Sequence, residues 1–315
     1  MTIPTIAIIL PCYNEEEILE HSAGILELLM EKLVKTGVVQ SDSFILFVDD
    51  GSHDATWRII DALHERRRIF RGLKLSTNFG HQNALLAGMH FVNGKVDCAI
   101  TIDADLQDDP ATIEEMLQEF RKGSAIVYGV RSSREKDSSF KKVSAHLFYR
   151  LLRFMKVKTV YDHADYRLVS RQVISELVRY KEVNLYLRGI FPMMGFPHSI
   201  VYYERKERVA GKTKYPLKKM LSFAWEGITS FSTFPLRLIF VLGFIIFIIS
   251  MVLMVWAFIP VFAHKAVPGW ASTVLPILLF GGLQMISLGI IGEYLGKIYH
   301  EVKERPRFII EKELN

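Results

Sequence analysis

The chain has 315 residues, of which 50% are hydrophobic and 23% are charged. This balance excludes a disordered or fibrous chain, and the length suits a domain of roughly 230 residues with a smaller appendage. The net charge of +5 is compatible with nucleic acid or with an anionic lipid surface as partner. Two cysteines, Cys12 and Cys98, lie inside apolar runs, which excludes a disulfide framework and predicts buried, reduced thiols.

Residues 1–160 alternate between short β-branched runs and helical stretches. Five runs are predicted to be buried strands: Thr5–Leu10, Phe44–Val48, Leu73–Ser76, Cys98–Ile102 and Ala125–Val130. The alternation predicts an α/β domain with a mostly parallel central sheet. Ligands of such sheets bind beyond the carboxyl ends of the strands, so the polar residues directly after each strand are candidate site residues.

Acidic segments follow three of these strands. They contain Glu15 after the first strand, Asp49 and Asp50 after the second, and Asp103, Asp105 and Gln107 after the fourth. Converging carboxylates repel one another unless a cation or hydrogen-bond donors lie among them. Hard oxygen ligands suit Mg²⁺ or Mn²⁺, which retain positions for diphosphate oxygens, so the pattern indicates a divalent metal and a ribose. The alternative for single residues is helix capping, by Asn14, Asp54 or Asp109.

The sequence does not contain the motifs of several other kinds of functional site. No Gly-x-Gly-x-x-Gly follows the first strand, and the chain contains no phosphate-binding P-loop, no His/Cys cluster with zinc spacing and no Gly-x-Ser-x-Gly. Basic residues are not interleaved with aromatic residues along one predicted face, as a nucleic-acid binder requires. We therefore expect no nucleic-acid partner.

Two long uncharged runs mark the C-terminal part of the chain. Leu238–Ala263 has 26 residues without a charge, and a second run covers Ala266–Gly292. Such runs predict two transmembrane helices, at 236–263 and 271–296, whereas a buried core hairpin is the alternative. Basic residues before and after the runs predict that both termini face the cytoplasm, and the N-terminus shows no cleavable signal. We expect a multi-pass protein of the cytoplasmic membrane.

The segments beside these runs complete the predicted membrane architecture. A juxtamembrane amphipathic segment is expected at 215–235 and a cytosolic tail at 297–315. Lys141–Val157 and Tyr215–Phe234 mix apolar and basic residues, as helices at a membrane interface do, although ordinary domain-covering helices have the same pattern. Small residues of the second run, Gly281, Gly282, Gly289 and Gly292, could pack against another subunit, so a homo-oligomer is possible.

Four motifs occur in an order that resembles a known enzyme family. They are Pro11-Cys12-Tyr13-Asn14-Glu15, Val48-Asp49-Asp50-Gly51-Ser52, Asp103-Ala104-Asp105-Leu106-Gln107 and Asp165-Tyr166-Arg167-Leu168, and two spans follow them. This arrangement is similar to family 2 glycosyltransferases of the polyprenyl-phosphate type. It is most similar to the bactoprenol (undecaprenyl-phosphate) glucosyltransferase group, which is related to dolichol-phosphate mannose synthase. The resemblance covers nearly the whole chain, with departures at Phe191–Phe196 and at His163-Ala164.

The resemblance implies a GT-A nucleotide-sugar-binding domain over residues 1–214, with interfacial helices and a C-terminal two-helix transmembrane hairpin. It also implies inverting transfer of a hexose, from UDP-glucose or next UDP-N-acetylglucosamine, to undecaprenyl phosphate, without a covalent enzyme intermediate. The residues it assigns to the nucleotide sugar are Pro11, Tyr13, Glu15, Asp49, Asp50 and Asp103. Asp105 and Gln107 would hold Mg²⁺ or Mn²⁺, and Asp105 would thereby contribute to catalysis.

The acceptor would be a lipid phosphate, whose oxygen is already largely anionic near neutral pH. Asp165 matches the family position sometimes assigned as general base, but it could instead orient the acceptor or pair with Arg167. Arginine forks match phosphate oxygens, so Arg131 and Arg167 are the first candidates for binding the acceptor phosphate. Arg208 and Lys212 are the second candidates.

Two other functions remain open at this point. A processive polysaccharide synthase should carry Gln-x-x-Arg-Trp near the membrane and usually has more spans, and the chain shows neither. A catalytically silent membrane adaptor with the same fold would show no metal-dependent turnover. The presence of Asp105 and Gln107 favours an enzyme over such an adaptor.

Overall fold

The computed structural model describes residues 3–132, 163–182, 187–204 and 270–315, together with residues 236, 239, 241–246, 248, 249 and 252. The bounded elements of these ranges are, in chain order, β1 (Ile6–Cys12), α1 (Leu19–Lys35), β2 (Phe44–Asp49), α2 (Thr56–Arg66), β3 (Phe70–Leu75), α3 (His81–Val92), β4 (Cys98–Thr101), α4 (Thr112–Arg121), β5 (Ile126–Arg131), β6 (His163–Ser170), α5 (Arg171–Arg179), α6 (Leu187–Met193), β7 (His198–Tyr203), α7 (Trp270–Val302) and β8 (Ile310–Leu314).

These strands form one sheet of eight strands in the order β7-β5-β6-β4-β1-β2-β3-β8. β3, β2, β1 and β4 are parallel neighbours, and β5 and β7 run in the same direction. β6 and β8 run antiparallel to their neighbours. The predicted α/β fold with a mostly parallel central sheet is therefore confirmed.

Both faces of the sheet are covered, which explains why the central strands are continuous hydrophobic runs. Along β1, Ile8 and Leu10 join a core cluster with residues of α1, α2 and α4. Ala7 and Ile9 point to the other face and join a cluster with residues of α3, α5 and α6. The described part of the chain thus has a sheet between two helical layers.

The five predicted strands are all present, with ends that differ by up to three residues. β6, β7 and β8 were not predicted from the sequence. Cys12 and Cys98 are buried free thiols, as expected. The alternative that Asn14 caps the following helix is wrong, because α1 begins at Leu19 with Ile18 at its N-cap, and Asn14 Oδ1 instead accepts a hydrogen bond from the His53 N–H.

The C-terminal part returns to the sheet. β8 pairs antiparallel with β3, and the Ser76 N–H donates to the carbonyl oxygen of Ile309 at 2.9 Å. The predicted cytosolic tail therefore contains an edge strand of the main sheet. In the described part of the chain, no helix combines the length and the apolar character that a bilayer crossing requires.

Some predictions fall outside the described residues. They are the segment 215–235, most of the predicted span 236–263, the interfacial segments Lys141–Val157 and Tyr215–Phe234, and the candidate cations Arg208 and Lys212.

Candidate active site

The candidate site lies at the carboxyl edge of the parallel strands. The register pairs Cys12 with Asp49, so the loops after β1 and β2 start side by side. β4 ends at Thr101, which pairs with Arg167 of the antiparallel β6. Asp165, two residues earlier in β6, therefore lies at the same edge, and the Thr101 hydroxyl donates a short hydrogen bond to its carbonyl oxygen.

The loop after β1 is fastened to the loop after β2. The Asn14 N–H donates to Ser52 Oγ at 3.0 Å, and the Glu15 N–H donates to Thr56 Oγ1 at 2.9 Å. Of the predicted nucleotide residues here, Pro11 lies in β1 and is buried, whereas Tyr13 lies in the loop and is exposed. The structure thus brings Pro11, Tyr13 and Glu15 beside the end of β2.

Asp49 and Asp50 have different surroundings although they are adjacent in sequence. Asp49 Oδ1 accepts the Ser52 N–H at 3.1 Å, whereas its Oδ2 is buried without a hydrogen-bond partner among the described residues. Burial raises the pKa of Asp49. Asp50 accepts the N–H groups of Phe79 at 2.7 Å and Gly80 at 2.9 Å. Asp50 therefore anchors the loop before α3, whereas one buried oxygen of Asp49 has no donor among the described residues.

The loop after β4 carries the predicted metal ligands. Leu106 has a positive φ of 45°, which turns the chain so that the Gln107 N–H donates to Asp105 Oδ1 at 3.2 Å. Desolvation raises the pKa of Asp103 to about 6, with a contribution from Asp165 and an opposing one from His81.

The fit of a divalent ion depends on the ligands that this loop supplies. Within the described residues, no three His, Cys, Asp or Glu side chains form a metal-binding group. Asp105 and Gln107 provide two hard oxygen ligands, and a Mg²⁺ or Mn²⁺ ion that also binds diphosphate oxygens needs few protein ligands. The residues present therefore fit such an ion together with a bound nucleotide diphosphate.

Asp165 is the centre of a cationic cluster. Its carboxylate is only 8% exposed and forms a short ion pair with Arg167. Arg188 approaches with two nitrogens, Nε at 3.2 Å from Oδ1 and Nη2 at 2.9 Å from Oδ2. His81 Nε2 lies 3.5 Å from Oδ2 of Asp165 and 3.8 Å from Oδ1 of Asp103. Gln82 Nε2 also donates to Asp165, at 3.5 Å.

This cluster determines the protonation state of Asp165. Burial alone would raise its pKa, but Arg188, His81 and Arg167 lower the pKa of Asp165 well below its ordinary value. A carboxylate that stays ionised in this way is a weak proton acceptor. The geometry thus supports the orienting role for Asp165 rather than the general-base role.

The two predicted phosphate-binding arginines differ in access. Arg131 is 33% exposed, and its Nη2 lies 3.3 Å from Asp108 Oδ1, which also accepts the Tyr203 hydroxyl at 2.6 Å. Arg167 is only 1% exposed and stacks over the Phe191 ring at 4.8 Å. Arg131 can therefore reach a ligand, whereas Arg167 is enclosed and supports Asp165.

Sequence reasoning missed His81, Gln82 and Arg188. His81 and Gln82 follow the third strand after a short loop. The acidic residues were identified because they follow strands, and the same criterion applied to the third strand would have identified His81 and Gln82. Arg188 lies on α6, 23 residues from Asp165 in sequence, and no local pattern connects the two.

Comparison with known proteins identifies the family of this chain. Residues 7–178 match the family described as Glycosyl transferase family 2. The chain is 49% identical over 311 residues to the uncharacterized glycosyltransferase YkoT of Bacillus subtilis (strain 168), covering 99% of this chain and 92% of that protein. It is 37% identical over 309 residues to the SfII prophage-derived bactoprenol glucosyl transferase of Shigella flexneri, covering 98% and 97%.

A solved structure from Mycobacterium tuberculosis, glucosyl-3-phosphoglycerate synthase with phosphoglyceric acid, aligns with a TM-score of 0.47 and 17% identity. The alignment covers 72% of this chain and 79% of that one. The α/β fold of the present protein, with its mostly parallel sheet, is GT-A-like. The chain is a glycosyltransferase and belongs to glycosyl transferase family 2.

Proposed function

We propose that this protein is a membrane-bound inverting glycosyltransferase that moves a hexose from a nucleotide sugar to undecaprenyl phosphate. UDP-glucose is the favoured donor and UDP-N-acetylglucosamine the next. The observation that carries this proposal is the position of His81 between Asp103 on the acidic side of the site and Asp165 on the cationic side. An acidic side suits a metal-bound diphosphate, and a cationic side suits a phosphate acceptor. The identity with a bactoprenol glucosyl transferase supports the same acceptor.

The donor would bind over the loops after β1, β2 and β4. The buried Oδ2 of Asp49 would accept an N–H group of the base, and Asp103 would lie beside the nucleotide. Asp105 and Gln107 would hold Mg²⁺ or Mn²⁺, which when bound stabilises the negative charge of the departing nucleoside diphosphate. Asp50 contributes by holding the loop that carries His81.

The acceptor chemistry requires no strong base. A phosphate oxygen of the lipid forms the new bond to the anomeric carbon, and the bond to the nucleoside diphosphate breaks with its electron pair leaving on that group. Attack from the opposite face inverts the anomeric centre. Since the attacking oxygen is already anionic, the ionised Asp165 need only keep Arg188 and His81 in place.

The membrane arrangement is a further part of this proposal. We infer a juxtamembrane segment at 215–235, spans at 236–263 and 271–296, and a tail at 297–315, in the cytoplasmic membrane with the catalytic domain in the cytoplasm. The pairing of β8 with β3 supports an even number of crossings, because the tail lies with the catalytic sheet. Large apolar side chains of α7 are exposed, among them Ile277, Met285, Ile286, Leu288 and Leu295. We also propose a homo-oligomer, because small residues allow helices to pack closely in a membrane and this helix contains Gly281, Gly282, Gly289 and Gly292.

The test is sugar transfer by the purified full-length protein in lipid nanodiscs. Labelled UDP-glucose and UDP-N-acetylglucosamine are offered with undecaprenyl phosphate, with Mn²⁺, with Mg²⁺ and with a chelator. We expect one sugar per lipid and no transfer in chelator. Long sugar chains would indicate a processive synthase, and the absence of metal-dependent turnover with every donor would contradict the proposal.

A further inference from the structure

Two cations at the site are partly exposed. The side chain of His81 is 42% exposed and that of Arg188 is 41% exposed, although both contact the buried carboxylate of Asp165. Arg167, which the sequence suggested as a phosphate ligand, is 1% exposed. The exposed cations of this cluster are therefore His81 and Arg188, which come from different elements, the start of α3 and α6.

Both side chains are fixed before any ligand arrives. Arg188 contacts Asp165 through Nε and Nη2, so the carboxylate sets the plane of the guanidinium. Gln82 accepts the Leu187 N–H at 3.2 Å and donates to Asp165, which connects the start of α3 to the start of α6. Such preorganisation lowers the entropy cost of binding an anion.

The charges around Asp165 leave a cationic surplus. Among the described contacts, Arg167, Arg188 and a protonated His81 carry three positive charges against two carboxylates, Asp165 and the Asp103 that lies 3.8 Å from His81. Desolvation works against protonation of His81, but Asp165 and Asp103 raise its pKa. A phosphate monoester carries one or two negative charges near neutral pH, so it matches this surplus.

We propose that His81 and Arg188 together bind the phosphate monoester of the acceptor, with Asp165 positioning both. This inference rests on the proposed function for the identity of the acceptor. The distance of 3.8 Å from His81 to Asp103 places the phosphate beside the donor half of the site. Arg131 belongs to a separate group with Asp108 and Tyr203. It is the alternative candidate for binding the acceptor phosphate.

The main experiment compares His81→Gln and Arg188→Lys with wild type in the nanodisc assay. Each variant keeps a hydrogen-bonding side chain of similar length, which limits damage to Asp165. We expect the KM for undecaprenyl phosphate to rise roughly tenfold or more, since charge-assisted hydrogen bonds are lost or weakened. The affinity for UDP-sugar with Mn²⁺, measured by calorimetry, should stay within about threefold of wild type. Arg179→Lys is the control, because Arg179 holds Glu176 in an exposed ion pair on α5.

A binding measurement without turnover separates this inference from the proposed function. Farnesyl phosphate, inorganic phosphate and farnesol are titrated into wild type and both variants. We expect wild type to bind farnesyl phosphate at least about tenfold more tightly than farnesol and more tightly than inorganic phosphate, and His81→Gln and Arg188→Lys to reduce that preference.

Two results would overturn the inference. One is an unchanged preference for farnesyl phosphate in both variants, whether or not wild type transfers sugar. The other is an equal loss in Arg131→Lys alone with no change in the His81 and Arg188 variants. Failure of wild type to transfer sugar while it binds farnesyl phosphate through these residues would contradict only the proposed function.

Discussion

Arg188 holds Asp165 by a two-point ion pair, with Nε 3.2 Å from Oδ1 and Nη2 2.9 Å from Oδ2. Arg167 contacts the same carboxylate from the interior of the domain, where it stacks on Phe191. The carboxylate therefore connects β6 to α6 and neutralises a guanidinium that is almost fully enclosed. It acts as a structural anion of the site, and its removal tests that role directly.

Asp165→Asn should destabilise the protein strongly. The substitution leaves the buried Arg167 without its counter-charge, and breaking a buried ion pair from one side costs about 3–5 kcal/mol. Chemical denaturation of wild type and variant measures this difference. Glu176→Gln removes the exposed partner of Arg179 and should cost about 0–1 kcal/mol. Equal stability of Asp165→Asn and Glu176→Gln would refute the structural role.

The lowered pKa of Asp165 determines how the difference in unfolding free energy between wild type and Asp165→Asn depends on pH. The folded protein lowers the pKa of Asp165, so its stabilising contribution is present above the ordinary aspartate pKa of about 3.9. The contribution is lost only as the pH falls below that value, through the lowered pKa of the folded state. We expect this stability gap not to narrow from about pH 8 to pH 5, and the protonation of His81, whose pKa Asp165 raises, should widen it as the pH falls. A gap that already narrows between pH 7 and pH 5 would show that Asp165 titrates near neutrality, as a general base would.

Gly51 should tolerate no side chain. Its φ is +67°, and a Cβ there would lie 2.4 Å from the backbone carbon of Thr77 and 2.6 Å from the Asn78 nitrogen. Gly37 is a matched control, because its φ is +68° and a Cβ there would meet nothing within 4 Å. Gly37→Ala should cost about 1–2 kcal/mol from backbone strain alone. Gly51→Ala should cost more, and by moving Thr77 it should weaken nucleotide binding, measured by calorimetry. Equal losses of stability in Gly51→Ala and Gly37→Ala would show that the loop containing Gly51 moves easily away from Thr77 and Asn78.

The central strands were predictable because both faces of the sheet are buried, so each strand is a continuous apolar run. β8 was not, since Ile-Glu-Lys-Glu-Leu is mostly charged and forms an exposed edge strand. β6 was missed because its sequence, beginning at His163, mixes polar and apolar residues. The acidic residues were found by their position after strands. Arg188 was not found, because only tertiary packing brings α6 to β6.

Asp105→Asn should weaken metal-dependent nucleotide binding. Asparagine keeps one oxygen ligand but removes the negative charge that attracts a hard divalent ion. We expect the Mn²⁺ concentration for half-maximal UDP binding to rise about tenfold or more, measured by calorimetry at several Mn²⁺ concentrations. Asp61→Asn on the exposed face of α2 is the control and should leave this Mn²⁺ concentration unchanged. An unchanged Mn²⁺ requirement in Asp105→Asn would exclude Asp105 as a metal ligand.

Deleting residues 308–315 should destabilise the sheet and disturb the loop before α3. The deletion removes β8, the Phe308 ring that lies 5.3 Å from His90, and the carbonyl of Ile309 that accepts the Ser76 N–H. Ser76 leads into the loop that Asp50 holds, so the change should reach His81. Loss of about 2–3 kcal/mol corresponds to a fall in Tm of roughly 5–10 °C for a domain of this size. Deletion of Asn315 alone should leave Tm unchanged, because β8 ends at Leu314. If the longer deletion also leaves Tm unchanged, the pairing of β8 with β3 contributes nothing to the stability of the catalytic domain.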